Sequence, residues 1–226
     1  MPLPHYTFSD KDTPIRWRIF EKRYFGAIMK IYDISQELFS CVIFPGDPAP
    51  KREVLSSMQD GALYNLTALS LCAHNGTHID APYHFIKDGK TVDELPLSKM
   101  VGWAYVSHEE GLLGAEDAKR ILKDAANAHP EATKRILLGG RVTVTEEAAR
   151  IFADAKIDLI GNESQTVGPE NAPMQVHLML LGADVILLEG IRLGEVPTGV
   201  YLLSAAPISL AGSDGAPCRA ILIDMQ

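Results

Sequence analysis

The sequence predicts an α/β fold, a single domain with a mixed sheet flanked by helices. Three observations carry that expectation. From Ile31 onward, short apolar runs alternate with helical stretches, the order that builds a sheet covered by helices. No internal repeat, low-complexity tract or linker interrupts the 226 residues, a length that one domain can fill. Apolar residues make up 46% of the chain and charged ones 22%, the balance of a protein that buries a core.

Taken in order, residues 1–28 read as an N-terminal arm and residues 29–226 as the domain. Arg16, Trp17, Arg18, Lys22, Arg23 and Tyr24 make the arm basic and aromatic. One such patch on an acidic chain is expected to pack on the protein's own body or on a partner subunit rather than to capture nucleic acid or membrane. Residues 62–73, rich in Leu and Thr and preceded by Asp60-Gly61, predict a long strand that delivers the histidine-rich segment after it. Residues 116–128 predict an amphipathic helix with acidic residues in its first turn and Pro130 past its end. Thr145 reads as the N-cap of a second helix, followed by Glu146 and Glu147 to complement the helix dipole. Pro173 near its start and Gly182 beyond its end frame a short apolar helix over residues 172–181 containing His177. Residues 184–188 then read as a buried strand with Glu189 and Gly190 at its carboxyl end, where α/β proteins place their clefts. Strands at 136–138, 157–160, 185–188, 200–203 and 220–223 complete the sheet.

The stretch from His74 to His84 gathers three histidines and Asp80 within eleven residues. Imidazole nitrogen and carboxylate oxygen are the donors that borderline divalent metals prefer, so the segment reads as a metal site. His74 and His78 could share one face of a helix, but Gly76 between them and Pro82 after them favour a loop. In extended backbone His78 and Asp80, two apart, point to the same side. Read without further context, His177 and Glu189 fit a core histidine and a solvated loop glutamate equally well.

The net charge of −8, with no lysine- or arginine-rich face, argues against nucleic acid or an anionic membrane as partner. Cys41, Cys72 and Cys218 form no Cys-x-x-Cys pair, which points away from a disulfide framework or thiolate zinc knuckle and toward a reducing, cytoplasmic setting. Cys72, between apolar neighbours, is expected to be a packed strand thiol. No apolar run spans a bilayer and no signal-peptide pattern opens the chain. Gly139-Gly140 and Gly161 lack the companions of a phosphate loop, and no Gly-x-Ser-x-Gly elbow suggests a serine hydrolase.

His74-Asn75-Gly76-Thr77-His78-Ile79-Asp80-Ala81-Pro82-Tyr83-His84 resembles the signature of the cyclase family of metal-dependent hydrolases, which includes bacterial kynurenine formamidase (arylformamidase) and isatin hydrolase. The likeness extends to Phe44-Pro45-Gly46-Asp47-Pro48, to His177 with Glu189, to Gly190 and Gly199-Val200-Tyr201, and to Asp214-Gly215-Ala216-Pro217 with Arg219. It implies a swivelling β/β/α fold and one or two divalent ions, zinc or manganese. His74, His78 and Asp80 would hold one ion, Asp80 would bridge to a second held by His177 and Glu189, and His84 would transfer protons. The implied activity is hydrolysis of a carbon–nitrogen amide bond of a small molecule by a homo-oligomer, dimer or tetramer. Met29 to Asp33 also resembles the usual start of such chains, which makes Met29 an alternative initiator. The chain departs from the pattern in three places: Phe44 replaces the tryptophan thought to stack on the substrate, Gly139-Gly140 replaces an Arg-Thr pair, and Gly161-Asn162-Glu163-Ser164 alters a Gly-x-Asp-x-x-Ser segment. These departures keep open a ring-opening cyclic amidase of the isatin type and a non-catalytic metal-binding protein.

Overall fold

The computed structural model describes residues 18–24 and 27–225. Arg16 and Trp17 lie outside the described residues, whereas the following segment, β1 (Arg18–Tyr24), pairs antiparallel with β2 (Ala27–Asp33). Residues 18–24 of the arm thus form an edge strand of the main sheet, and residues 28 and 29 lie side by side within β2.

Two strands, β3 (Lys51–Ser56) and β4 (Leu66–Ser70), form a separate hairpin. The segment 62–73 is therefore not the single long strand expected. Gly61, in the left-handed region at φ 88°, closes a turn over Met58–Asp60, and strand pairing begins only at Leu66. Past Ser70, the Asn75 side chain accepts the N–H of Cys72 at 2.9 Å and curls the backbone into a turn. Cys72 consequently sits half-buried in that turn rather than in a strand.

The strand within the histidine segment is β5 (His78–Asp80). Beyond it run β6 (Val101–His108), β7 (Gly111–Leu113), β8 (Arg135–Gly139), β9 (Val142–Val144), β10 (Leu159–Asn162), β11 (Ile186–Glu189), β12 (Gly199–Ser204), β13 (Gly215–Pro217) and β14 (Ile221–Met225). The main sheet has ten strands in the order β1-β2-β14-β12-β6-β8-β10-β11-β5-β13, and β7 pairs with β9 apart from it. Its centre, β6-β8-β10-β11, is parallel, and every other pairing in it is antiparallel. Parallel neighbours require crossover connections, and three helices supply them: α1 (Ala115–Ala128), α2 (Glu146–Asp154) and α3 (Met174–Gly182). Thr145 caps α2 as expected, its hydroxyl accepting the N–H of Ala148 at 3.3 Å.

All three helices lie on one face. Ile121 of α1, Phe152 of α2 and Leu180 of α3 pack with Ile136, Leu138, Ile160 and Leu187 of the sheet. The alternate strand residues Leu137, Leu159, Ile186, Leu188 and Ile79 turn to the opposite face, into a second core with Ile34 and Met100. That alternation sets the polarity of β5. Ile79 enters the second core, so His78 and Asp80 point toward the helices, as do Leu187 and Glu189 of β11. Among the described residues no helix is long and apolar enough to cross a membrane.

Candidate metal centre

The sheet register brings the residues together. β5 lies antiparallel to β11, with His78 opposite Glu189 and Asp80 opposite Leu187, at the point where parallel pairing gives way to antiparallel. On its other side β5 pairs with β13, placing Gly215 opposite Asp80. The site lies between these strands and α3, which contributes His177. His78, Asp80, His177 and Glu189 are all buried, Asp80 to 1% exposure.

Two of the imidazoles are oriented from behind by backbone carbonyls. His78 Nδ1 lies 3.0 Å from the carbonyl of Gly76, and His177 Nδ1 lies 2.8 Å from the carbonyl of Pro173, one turn earlier in the chain. A carbonyl can only accept, so both Nδ1 atoms carry the hydrogen and both Nε2 atoms present a lone pair unless a further proton is bound. Those Nε2 atoms face carboxylate oxygens. His78 Nε2 is 3.3 Å from Asp80 Oδ1 and 3.7 Å from Glu189 Oε2, while His177 Nε2 is 3.3 Å from Glu189 Oε1 and 3.7 Å from Asp80 Oδ2. Asp80 Oδ2 is buried without any hydrogen-bond partner, since the approach of His177 is too long for one. Lone pairs turned toward buried carboxylates need protons or a cation between them.

Two donor triads share Asp80: His74 with His78 and Asp80, and Asp80 with His177 and Glu189. Within each, the ligand atoms lie within 4.8 Å of one another. The mixed nitrogen and oxygen donors, and the partnerless Oδ2 on the shared residue, fit a divalent cation.

The buried carboxylates also favour protonated imidazoles around them. Burial pulls the His74 imidazole down, but the Asp80 and Asp214 carboxylates outweigh it and raise its pKa from 6.5 to about 10. Burial likewise opposes protonation of His78 and His177, yet Asp80 raises the first and Glu189 the second. Asp80 is held well below the usual carboxylate range, against the effect of burial, by His74 and His78. Glu189 is pushed up by burial and by the Asp80 charge, even though its Oε1 accepts the N–H of Val167 at 2.8 Å.

His84 stands at the rim. Its ring stacks on His74 at 4.0 Å between centroids, and its Nδ1 lies 3.3 Å from Asp214 Oδ2. Burial, aided by the neighbouring His74 cation, lowers its pKa despite the Asp80 and Asp214 charges. Asp214, noticed in the sequence only as part of its Asp-Gly-Ala-Pro segment, is the site residue that residue-level reading passed over. Its Oδ2 lies 2.8 Å from His74 Nε2 while Asp80 Oδ1 lies 2.9 Å from His74 Nδ1. The signal available was an acidic residue standing before a short segment containing Gly and Pro, as Asp80 stands before Ala81-Pro82. A Cβ on Gly215 would fall 2.9 Å from His74 Cε1, so glycine is needed for that ring to lie against the backbone.

Phe44 is half-buried in a turn closed by its carbonyl and the N–H of Asp47 at 3.0 Å. The turn is tied to the histidine segment through the Pro48 carbonyl, which accepts from Asn75 Nδ2 at 3.1 Å. The other two departures from the family pattern meet each other. Glu163 accepts the N–H of Gly140 at 2.8 Å and that of Leu193 at 2.6 Å, so it clamps loops rather than joining the donor cluster. A cavity of about 560 Å³ lies elsewhere, among β1, β2, β12 and β14, and none of the five grouped metal-donor residues lines it.

Residues 31–169 match the Cyclase family model, more than half of the chain. This protein belongs to the cyclase family. It is 31% identical over 211 residues to the kynurenine formamidase of Salinibacter ruber, an alignment covering 87% of this chain and 98% of that one. Among solved structures, a predicted metal-dependent hydrolase from Bacillus stearothermophilus superposes with a TM-score of 0.69 at 27% identity, covering 87% of this cyclase-family chain and 98% of that one. Isatin hydrolase A of Labrenzia aggregata gives 0.74 at 22% identity, over 88% and 94% of the two chains, a likeness of fold.

Proposed function

We propose that this chain is an arylformamidase-like amidohydrolase, cleaving the carbon–nitrogen bond of a small aryl formamide such as N-formylkynurenine. The observation that carries the reading is the convergence on Asp80, whose buried Oδ2 lacks a partner, of imidazole and carboxylate donors from β5, α3 and β11. His74, His78 and Asp80 would hold one cation and Asp80, His177 and Glu189 a second, with zinc or manganese suited to the donors. A divalent cation held there supplies a Lewis acid for a carbonyl oxygen and lowers the pKa of water from about 16 toward about 7.

The chain's own residues do the rest. Burial disfavours the charged form of His84, whose Nδ1–H faces the acceptor Asp214 Oδ2 at 3.3 Å and leaves Nε2 to take a proton from the attacking water. The same nitrogen then protonates the departing amine. Asp214 fixes the ring while also bracing His74, and Phe44 offers an aromatic face to the substrate. The ring-opening alternative uses the same groups, but the isatin hydrolase likeness speaks to fold alone. A purely metal-binding protein has no use for a poised imidazole beside its ligands. Formate release from N-formylkynurenine, lost on chelation and restored by zinc or manganese, is the expected result. Ring opening of isatin without formamide cleavage, or formate release indifferent to chelation, would contradict it.

Metal uptake carries a pH signature. His74, His78 and His177 hold protons more tightly than free imidazole, and a cation needs their bare nitrogens, so uptake at pH 7 releases protons and apparent affinity rises with pH. For the metal-free fold the sign is opposite: the raised His74 pKa stabilises it fully below pH 6.5, and that contribution fades as pH rises through about 10. Titration calorimetry with zinc in two buffers of unlike ionisation heat reads the proton count. Net proton uptake would contradict this ligand set.

Self-association is part of the same reading. The β3–β4 hairpin and its approach expose Val42, Val54, Leu55, Met58, Leu63 and Tyr64, Leu63 to 93%. Large exposed apolar side chains clustered in one stretch of chain suit an interface, and a homo-oligomer would cover them. Sedimentation equilibrium should give at least a dimer, which a Leu63→Glu, Met58→Glu variant weakens; a monomeric parent would refute it. Cys41, Cys72 and Cys218 are free thiols, which suits a reducing, cytoplasmic setting.

A further inference from the structure

The side chain of Gln36, just past β2, joins three loops that contribute nothing to one another in sequence. Its Oε1 accepts the N–H of Val42 at 2.9 Å, at the root of the turn bearing Phe44. Its Nε2 donates to the carbonyl of Gly190 at 2.9 Å, the residue after Glu189, and to Gln165 Oε1 at 2.8 Å. Gln165 Nε2 in turn donates to the Gly76 carbonyl at 3.1 Å, the same oxygen that orients His78. The backbone N–H of Gln36 reaches Thr77 Oγ1 at 2.9 Å, and that hydroxyl donates to the Gly190 carbonyl at 2.7 Å. Every hydrogen-bonding group of the Gln36 amide except a second lone pair is thereby used. The junction is tight: a Cβ on Gly190, at φ 70°, would sit 2.2 Å from Gln165 Oε1 and 2.5 Å from Gln36 Nε2.

We infer that Gln36 is a positioning residue that couples the Phe44 turn to the backbone holding the ligands His78 and Glu189. Ordering of β5 and β11 by a cation is transmitted through the Gly190 carbonyl and Gln165 to the Gln36 amide, and from its oxygen to Val42. The substrate-facing turn is then firmest when the centre is loaded. This deepens the proposed function and rests on its assignment of ligands, but it concerns backbone order and not turnover.

Hydrogen–deuterium exchange of the full chain, with and without zinc, tests it. In the parent protein zinc should slow exchange in residues 74–80 and also in residues 41–48, the latter about tenfold, the effect of one secured hydrogen bond on a local opening. Gln36→Leu should keep slowing at 74–80 and lose it at 41–48. Val42→Pro removes the N–H at the far end of the link. It is an exposed position following extended backbone at Cys41, so it preserves the fold if the first variant does not, and it should also lose slowing in the rest of 41–48. Slowing at 41–48 that survives in either folded variant overturns the coupling, as does a parent in which zinc slows 74–80 alone. A parent that binds no zinc would overturn the ligand assignment itself, a separate result.

Discussion

Replacing Asp80 by asparagine is expected to strip the chain of its cation and to lower amide cleavage by more than about 100-fold, because changes to groups behind a metal ligand alone cost about 10- to 100-fold. Asp80 is the residue common to both donor triads, and its Oδ2 has no other partner. Asparagine keeps the shape but puts a neutral amide where the carboxylate stood, so neither triad is complete. The metal-free protein changes as well. His74 and His78 lose the carboxylate that raises their pKa values, so the variant at neutral pH holds fewer protons in the centre than the parent. Elemental analysis beside circular dichroism checks both points. A folded Asp80→Asn protein with the parent's metal content would show that the bridging role is wrong.

His84→Ala separates chemistry from binding. The imidazole lies outside both triads that share Asp80, and its expected loss is about 10²- to 10⁴-fold in turnover with metal content unchanged, the range for a removed proton-transfer group. The contrary outcome has a structural basis. His74, His84 and Asp214 form a third group whose ligand atoms lie within 4.8 Å, and equal loss of metal and activity in the variant would make His84 a ligand. Elemental analysis run alongside formate release distinguishes the two.

Much of this centre was legible in the chain because its chemistry is concentrated. Four donors within eleven residues, broken by Gly76 and Pro82, can hardly be packed away as core, and a period of two placed His78 and Asp80 on one side of what became β5. The alternation of strands with helices was likewise readable, with Thr145 capping α2 and Pro173 opening α3. His177 and Glu189 were different. Taken alone each fits a common core or loop residue, and only strand pairing of Glu189 with His78 brings them into register. The contacts of Asp214 and Gln36 were not visible because their partners lie far along the chain: Asp214 reaches His74 across 140 positions, and Gln36 reaches Gly190 across 154. The misread segment 62–73 fails for a local reason, since its leucines and threonines suit a strand while Gly61 and the Asn75 turn decide where pairing starts and stops.

On the proposed reading, Asp80 joins imidazoles from two distant segments around a bound cation. The most direct test is the metal content of the purified chain after exhaustive dialysis against metal-free buffer and reloading with zinc or manganese. At least one tightly held ion per chain, absent from Asp80→Asn, is the predicted result. A parent protein that cleaves its amide at full rate while retaining no stoichiometric metal would rule out this role for Asp80.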